Sequence, residues 1–348
     1  MLALAPGILA ARTAGQAKKP RPVSKAGEFL RFADPTTETT VVRLTNPAST
    51  NLLPASTNRF ISLKSRFLIF SSDRTGKAAP FQVDLKTGAL TQIAEADALH
   101  PDSLCLDAQE RLLYFIDGSS LKALTLANKR VRTLEEDVTA FSAAVATPEV
   151  VIMRRGQLEL LSASGRPVAE EVAPPCVLRP DGKGCLFGRE SGDHREFWYV
   201  PLAGGAGELP QLLAKGQISA PYWSPNGQAV LFLRDVPAGS LVRSEIHSVN
   251  LETRVEERVT PTSQFAAFAP NADESVFVGA SRSKAQPTVI LLLRSVQREL
   301  TLCEHRASHP ASVSPVFSPD SRRVYFQSDH EGKSAIYSVN VELLVEPT

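Results

Sequence analysis

The sequence lacks an excess of charge of either sign, because 38 Lys and Arg stand against 37 Asp and Glu and no polybasic block is present. Proteins that follow the phosphates of a nucleic acid need such a basic surface, so we expect no nucleic acid partner. Several catalytic signatures are missing as well: no Gly-x-Ser-x-Gly elbow, phosphate-binding loop, HExxH or GxGxxG motif occurs. The enzyme classes that depend on these motifs are therefore excluded.

Cysteine is scarce, and its four copies form no CxxC pair. Zinc knuckles and thioredoxin-type sites depend on that pair, so neither is expected. Cys176 and Cys185 flank a turn of sequence RPDGKG, which would bring two strands together and place the sulfurs within bridging range in an oxidising compartment. Two buried free thiols are an equal alternative, because unpaired cysteine is often buried.

Long apolar runs are absent, and the one short run lies in residues 1–17 (MLALAPGILAARTAGQA). Arg12 and a Pro-Gly pair interrupt it, so we expect no membrane span. Gly15 and Ala17 occupy the positions where a signal peptidase would cut, which predicts a signal peptide and a periplasmic or secreted protein. A cationic leader is missing, which a start codon upstream of Met1 would explain. A cytoplasmic protein with an N-terminal tail is the alternative.

Turn-forming residues are plentiful: 25 Pro and 20 Gly are spread along the chain, as many short strands require. A repeat accounts for this spread. Its clear copies are residues 178–187 (LRPDGKGCLF), 223–235 (WSPNGQAVLFLRD) and 317–329 (FSPDSRRVYFQSD), and its weaker copies are residues 62–70, 106–115, 144–153 and 268–278. The interval between copies is roughly 35–50 residues, which is the range of propeller blades.

The physics of one unit predicts the fold. Each unit joins two antiparallel strands by a Ser-Pro-Asp-Gly-type turn, and its second strand is apolar on successive residues because neighbouring units cover both of its faces. A polar hairpin and two further strands follow. We therefore predict an all-β, seven-bladed β-propeller with four-stranded antiparallel blades, formed by residues 37–348 as one monomeric domain after a linker in residues 18–36.

The N-terminal segment 39–45 (TTVVRLT) reads as a strand that belongs to no unit of its own. The seventh unit ends soon after its third strand, which would leave an unpaired edge. We expect the N-terminal strand to become the fourth strand of the last blade and so to close the ring.

Several motifs resemble those of TolB-type, WD40-like propellers and, more specifically, those of the oligogalacturonate lyase family. The segments that carry the second resemblance are residues 42–45 (VRLT), 67–76 (FLIFSSDRTG), 83–88 (VDLKTG), 314–320 (SPVFSPD) and 335–340 (AIYSVN). The resemblance spans most of residues 37–342. It implies a seven-bladed propeller that cleaves oligogalacturonides by β-elimination, with a metal ion to neutralise the substrate carboxylate and a histidine-type base to take the C5 proton.

The resemblance also locates the family's nitrogen ligands in this sequence. They fall near Asn51 to Leu53, Ala220, Phe265, and, ahead of the seventh turn, His309, Ser312 and Ser314. Only His309 retains a nitrogen ligand, and one imidazole with two hydroxyls would bind Mn or Ca weakly. We therefore predict no metal and no cofactor; Mn or Ca would belong only to a lyase.

Four residues are candidates for a ligand site at the central channel: Arg59, His309, Ser312 and Ser314. Arg59 precedes the first turn on an inner strand and could bind an anionic ligand, or else form an inter-blade salt bridge. The alternative for His309 is an exposed histidine held by backbone. His305, His330, Trp198 and Trp223 are better interpreted as a solvated turn residue, a structural turn residue and two core residues, respectively.

These observations leave three functions open. The first is an exported propeller that binds a protein partner or an acidic oligosaccharide at its channel face without catalysis. The second is a metal-dependent lyase acting on oligogalacturonides, and the third is a scaffold with no small ligand. The near-neutral charge, +1, makes capture of a polyanion by charge alone less favourable.

Overall fold

A computed structural model describes residues 24–25, 27–163, 167–202, 209–239, 241–262 and 264–345. Within these residues the strands form seven separate antiparallel sheets, one for each predicted unit, and the only helical pieces are three short 3-10 turns. The chain is therefore a seven-bladed β-propeller, as predicted. The predicted signal peptide, residues 1–17, lies outside the described residues.

Three strands precede the first blade, and the first three blades then follow in chain order. The N-terminal strands are β1 (Ser24–Lys25), β2 (Leu30–Ala33) and β3 (Thr40–Arg43). Blade 1 contains β4 (Asn51–Leu52), β5 (Phe67–Ser72), β6 (Ala79–Asp84) and β7 (Leu90–Gln92). Blade 2 contains β8 (Cys105–Leu106), β9 (Leu112–Asp117), β10 (Ser120–Thr125) and β11 (Arg130–Glu135). Blade 3 contains β12 (Ala140–Ala143), β13 (Val150–Arg154), β14 (Gln157–Leu160) and β15 (Pro167–Glu170).

The remaining four blades repeat the pattern with longer strands in the middle of the chain. Blade 4 contains β16 (Ala173–Leu178), β17 (Gly184–Ser191), β18 (His194–Pro201) and β19 (Gln211–Gly216). Blade 5 contains β20 (Ile218–Trp223), β21 (Ala229–Ala238), β22 (Leu241–Asn250) and β23 (Glu256–Pro261). Blade 6 contains β24 (Phe265–Pro270), β25 (Val276–Ser281), β26 (Thr288–Leu293) and β27 (Arg298–Glu304). Blade 7 contains β28 (Val316–Phe317), β29 (Arg323–Ser328) and β30 (Ala335–Asn340).

The repeated turn is built from its own side chains. In blade 5 the Ser224 hydroxyl accepts a hydrogen bond from the Ala229 amide at 2.9 Å, and the Asn226 side chain accepts one from the Gln228 amide at 3.0 Å. Gly227 between them has a φ of +68°, which suits a residue without a Cβ atom. Short polar side chains thus replace the backbone partners that a tight reversal leaves unmade.

The second strand of each blade forms the core. In blade 7 the side chains of Val324, Tyr325 and Phe326 are each at most 1% exposed, although they point alternately to opposite faces of the sheet. Both faces are buried because the neighbouring blades lie against them. This is why the strand is apolar at successive positions rather than at alternate ones.

The N-terminal strands lie on the outer edges of the last and first blades. Strand β3 pairs with β30 in the register Val41↔Val339, and the Leu44 amide extends the pairing by a 2.7 Å hydrogen bond to the Ile336 carbonyl. Strand β2 pairs with β3 as a fifth strand of blade 7, and β1 pairs with β7 as a fifth strand of blade 1. A linker is expected over residues 18–36, because their polar, Pro-containing sequence carries no repeat signal. The structure instead contains the two strands β1 and β2 in this segment.

No helix among the described residues is long and apolar enough to cross a membrane.

Candidate functional site: the central channel

The central channel has two distinct ends. The first strand of every blade is innermost in its sheet and runs in the same direction along the axis, as in propellers generally. We call the end where these inner strands begin the top face, and the end where they finish at the repeated turns the bottom face. Every candidate residue can be placed relative to these two faces.

The inner strand of blade 1 is interrupted. Its upper part, β4, pairs with Ser71 and Ser72, whereas its lower part is represented by Ile61, which bridges to Leu68. Residues 53–59 between them leave the sheet and enter the channel, and we call them the channel segment. The repeat pattern could not reveal this segment, since it lies upstream of the first turn.

The channel segment contacts the walls on several sides. The Tyr222 hydroxyl of blade 5 donates a 2.5 Å hydrogen bond to the Ser56 hydroxyl, and the Leu53 amide donates a 2.6 Å bond to the Gln327 side chain of blade 7. The Asn58 amide nitrogen donates to the Asp102 carbonyl of blade 2 at 3.0 Å. Because the segment reaches from blade 1 to blade 5, it crosses the channel between the top face and the bottom face.

Arg59 lies at the bottom face. Its guanidinium donates to the Ala108 carbonyl of blade 2 at 3.0 Å and to the Val145 carbonyl of blade 3 at 2.7 Å, and both of these residues follow the ends of inner strands. The residue thus ties three blades together through backbone carbonyls. An anionic ligand would have to share the guanidinium with these contacts, so the anion-binding role of Arg59 stays a prediction.

His309 lies at the top face, directly before the 3-10 turn Pro310–Val313. Its side chain is exposed, and Nδ1 is 2.9 Å from the Ser308 hydroxyl, which donates in turn to the Asp329 carboxylate. The Nε2 atom has no hydrogen-bond partner among the residues that the structure describes. The imidazole is therefore oriented from one side and open to a ligand on the other.

Asp329 remains ionised in this arrangement. Partial burial acts to raise its pKa, but the hydrogen bonds from the Ser308 hydroxyl and amide outweigh burial and hold the pKa below its usual value. The negative charge of Asp329 is thereby held next to Ser308, the residue that contacts His309. The Asp329 carbonyl accepts the Gly332 amide within the hairpin at 3.1 Å, while its carboxylate holds Ser308 beside this histidine.

Ser312 and Ser314 belong to the same turn as His309. The Ser312 hydroxyl is exposed and donates to the His309 carbonyl at 2.8 Å, whereas Ser314 is half-buried. Ser314 has φ +45° and ψ +56°, a left-handed conformation that redirects the chain into β28. The structure therefore brings three of the four candidates together at the top face and leaves Arg59 at the bottom.

Gln327 is a channel residue that sequence reasoning missed. It is 8% exposed; its oxygen accepts the Leu53 amide and its nitrogen donates to the Ser312 carbonyl at 2.6 Å. One amide group thus fixes both the channel segment and the turn that carries His309. The available signal was its place as the one amide side chain in the buried sequence VYFQS.

His305 corrects an expectation. Predicted to be in a solvated turn, it is 0% exposed, accepts the Ala307 amide at Nδ1 and donates from Nε2 to the Ser281 carbonyl at 3.0 Å. Burial lowers its pKa, so the ring is neutral and packs blade 6 against blade 7. Only its neighbours Glu304 and Arg306, which form an ion pair, remain at the surface.

Trp198 and Trp223 are both half-buried and pack against the core, as predicted for core residues. His330 is half-buried within its hairpin and lies against Tyr337, which agrees with a structural turn residue.

The donor set at the channel does not fit a manganese centre. Among the described residues, no three His, Cys, Asp or Glu side chains come close enough together to hold a metal ion. The positions at which the resemblance locates the family's ligands include Leu53, Ala220 and Phe265. Their side chains offer no nitrogen or charged oxygen. The Asn51 oxygen already accepts hydrogen bonds from Ser72 and Arg74.

The top face is asymmetric. Long connections, residues 44–50, 93–104 and 305–315, lead into the inner strands of blades 1, 2 and 7, whereas blades 3 to 6 have short ones. Blades 4 and 5 instead extend their central hairpins, with strands of 8 and 10 residues against five or six in the other second strands. The top face thus carries long loops on one side and two longer hairpins on the other.

No protein-family model matches the sequence, and no curated protein matches it. Solved structures do match its fold. An oligogalacturonate lyase in complex with manganese superposes with a TM-score of 0.81 at 18% identity, covering 92% of this chain and 98% of that one. Oligogalacturonate lyase from Vibrio parahaemolyticus superposes with a TM-score of 0.82 at 18% identity, covering 94% of this chain and 100% of that one.

A more distant match is TolB from Acinetobacter baumannii, with a TM-score of 0.49 at 11% identity, covering 90% of this chain and 78% of that one. At these identities the likeness establishes the fold: the chain has the seven-bladed architecture of the oligogalacturonate lyases over nearly its whole length. Activity does not follow from a shared fold.

Proposed function

We propose that this protein is a non-catalytic propeller with the oligogalacturonate lyase fold, which binds a protein partner or an acidic oligosaccharide at the top face of its channel. The observation that carries the proposal is the contrast between an intact fold and a missing donor set. All seven blades are complete, yet no metal-capable cluster occurs in the described part of the chain. β-Elimination beside a carboxylate needs such a cation to make the proton acidic.

Binding is favoured by the preorganised top face. Hydrogen bonds through Gln327 and Asn58 connect the long loops of blades 7, 1 and 2, so little ordering remains to be done when a ligand arrives. His309 presents a free ring nitrogen and Ser312 lies exposed beside it. These groups suit a hydroxyl-rich or carboxylate-bearing ligand, or the polar rim of a protein interface.

The proposal includes export to the periplasm or the cell exterior. It is supported by the signal-like pattern of residues 1–17 and by the 3.6 Å separation of the Cys176 and Cys185 sulfur atoms, a pair that an oxidising compartment could bridge.

The direct test of non-catalysis is incubation with oligogalacturonides and Mn²⁺ while the ultraviolet absorbance of the unsaturated product is followed. We expect no absorbance change. Product that forms with the native protein and is lost in His309→Ala would overturn the proposal. It would establish the second candidate, a metal-dependent lyase, which is favoured by the fold match over 98–100% of the lyase chains.

The binding site itself is tested by a matched pair of substitutions. Ser312→Glu places a negative charge on the top face, which would repel an acidic ligand, whereas Ser295→Glu makes the same change in an exposed turn of blade 6 at the bottom face. We expect loss of trigalacturonate binding, or of an identified partner, in the first variant only. Equal binding by both variants would contradict a top-face site and favour a scaffold without one.

A further inference from the structure

A recess lies far from the channel, on the bottom face where blade 7 meets blade 1. Its volume is about 460 Å³, and turns of both blades line it. The lining consists of Lys64, Ser65, Arg66, Asp84, Leu85, Lys86, Asp320, Arg322, Arg323, Tyr325, Asn340 and Glu342. A cavity of this size accommodates a small ligand.

The recess is basic, and most of its cations have no partner. Arg322 lies 3.5 Å from Glu342. The other four cations form no ion pair within the described residues; these are Lys64, Arg66, Lys86 and Arg323. The five cations of the lining outnumber its three carboxylates, Asp84, Asp320 and Glu342, so the recess carries a net positive charge that favours an anion.

Two carboxylates of the recess, those of Asp84 and Asp320, accept hydrogen bonds from residues of their own turns. Asp84 accepts hydrogen bonds from the Thr87 amide at 2.7 Å and hydroxyl at 2.8 Å, and Asp320 accepts one from the Ser318 hydroxyl at 2.5 Å. They close their turns and stay negatively charged, so they offset only part of the positive charge of the recess. They also give the rim of the recess a mixed charge.

Tyr325 supplies an independent sign of a ligand. Its side chain is 1% exposed, and its hydroxyl has no hydrogen-bond partner in the described part of the chain. Burial raises its pKa to about 12, and the charges that act on it belong to Arg323 and Asp320 in the same recess. A buried hydroxyl left without an acceptor is costly, so a ligand oxygen that accepts this O–H would stabilise the site.

We propose that this recess binds a compact oxyanion, namely inorganic phosphate or a phosphate monoester. The guanidinium groups of Arg66 and Arg323 would donate to two oxygens of the phosphate, and the Tyr325 hydroxyl would donate to a third. The positive charge is confined to this one recess, which suits a compact anion better than an extended polyanion, whose charges are spread over a greater length. The site is separate from the channel and independent of what the channel binds.

The test is titration calorimetry of the full chain with inorganic phosphate at low ionic strength. Tyr325→Phe should weaken binding by about tenfold, because it removes one hydrogen bond to a charged ligand. The matched control is Tyr337→Phe, which removes the other buried tyrosine hydroxyl of blade 7 that lacks a partner among the described residues and lies outside the recess. This control should bind phosphate as the native protein does.

Charge variants separate a built site from general attraction. Arg66→Gln combined with Arg323→Gln should abolish binding, whereas Lys284→Gln, an exposed cation in blade 6, should leave it unchanged. Trigalacturonate should not displace phosphate. Absence of binding at millimolar phosphate, equal losses in the recess and control variants, or displacement by trigalacturonate would each overturn the proposal. Unchanged melting temperatures show that the variants fold.

Discussion

At the scale of single residues, the channel is held by a few buried polar groups whose importance the sequence hardly signals. Gln327 binds Leu53 and Ser312 with one amide, and His305 joins blade 6 to blade 7 as a neutral ring. The sequence does not reveal either role, because a single polar residue in an apolar strand, or beside charged neighbours, forms no periodic pattern. His309, by contrast, stood out because histidine is rare in this chain, with six copies.

Gln327→Met should destabilise the protein by about 2 kcal/mol, since a similar volume is kept while two buried backbone groups lose their partner. Denaturant unfolding measures the change. The control is Gln109→Met at an exposed turn of blade 2, for which we expect a change within about 0.5 kcal/mol. Equal stability of the two variants would show that the amide is dispensable.

Stability should also depend on pH through His305. Burial lowers its pKa below the ordinary 6.5, so the unfolded chain takes up a proton there that the folded chain refuses. Stability is therefore complete above that value and falls as the pH drops through it, by at most about 1.4 kcal/mol per pH unit for each such group. His330, whose pKa burial also lowers, contributes in the same direction.

The measurement is the urea midpoint at neutral and mildly acidic pH. His305→Gln keeps an amide that can donate to the Ser281 carbonyl, and it should remove part of the pH dependence. His100→Gln, at an exposed histidine, should not. An unchanged dependence in His305→Gln would contradict the buried neutral ring.

At the scale of elements, the blades were predictable and their irregularities were not. The Ser-Pro-Asp-Gly turn located the first two strands of each blade, because Pro, Asp and Gly restrict the backbone locally. The channel segment, residues 53–59, and the outer strands β1 and β2 escaped notice because their structure depends on distant partners, such as Tyr222 for Ser56. Tertiary contacts of this kind leave no local signature.

The cysteine pair of blade 4 should be able to form a disulfide. The Cys176 and Cys185 sulfur atoms are 3.6 Å apart on adjacent strands, and a side-chain rotation would bring them toward the disulfide distance of about 2.05 Å. We expect oxidised dithiothreitol to convert them to a disulfide, detected by peptide mapping without reduction. Cys105 and Cys303, which are buried singly, serve as controls and should remain free. Four free thiols after oxidation would refute the bridge.

At the scale of the whole molecule, the N-terminal strand β3 and the last strand, β30, pair in blade 7. We expect this pairing to hold the ring together. A chain that begins after Pro47 should therefore lose cooperative unfolding, because the outer edge of β30 and the buried Val41 and Leu44 contacts are lost. A chain that begins at Gly27 keeps β2 and β3 and is the control. A melting curve that is unchanged by the longer deletion would contradict this role.

The chain has the lyase fold, and we propose that its channel holds no metal site. A manganese titration tests this proposal. Electron paramagnetic resonance distinguishes free Mn²⁺ from protein-bound Mn²⁺ when the ion is titrated into the native protein. We expect the signal of the free ion to persist at micromolar concentrations and to be the same in His309→Ala. Stoichiometric loss of that signal in the native protein, restored by His309→Ala, would contradict it.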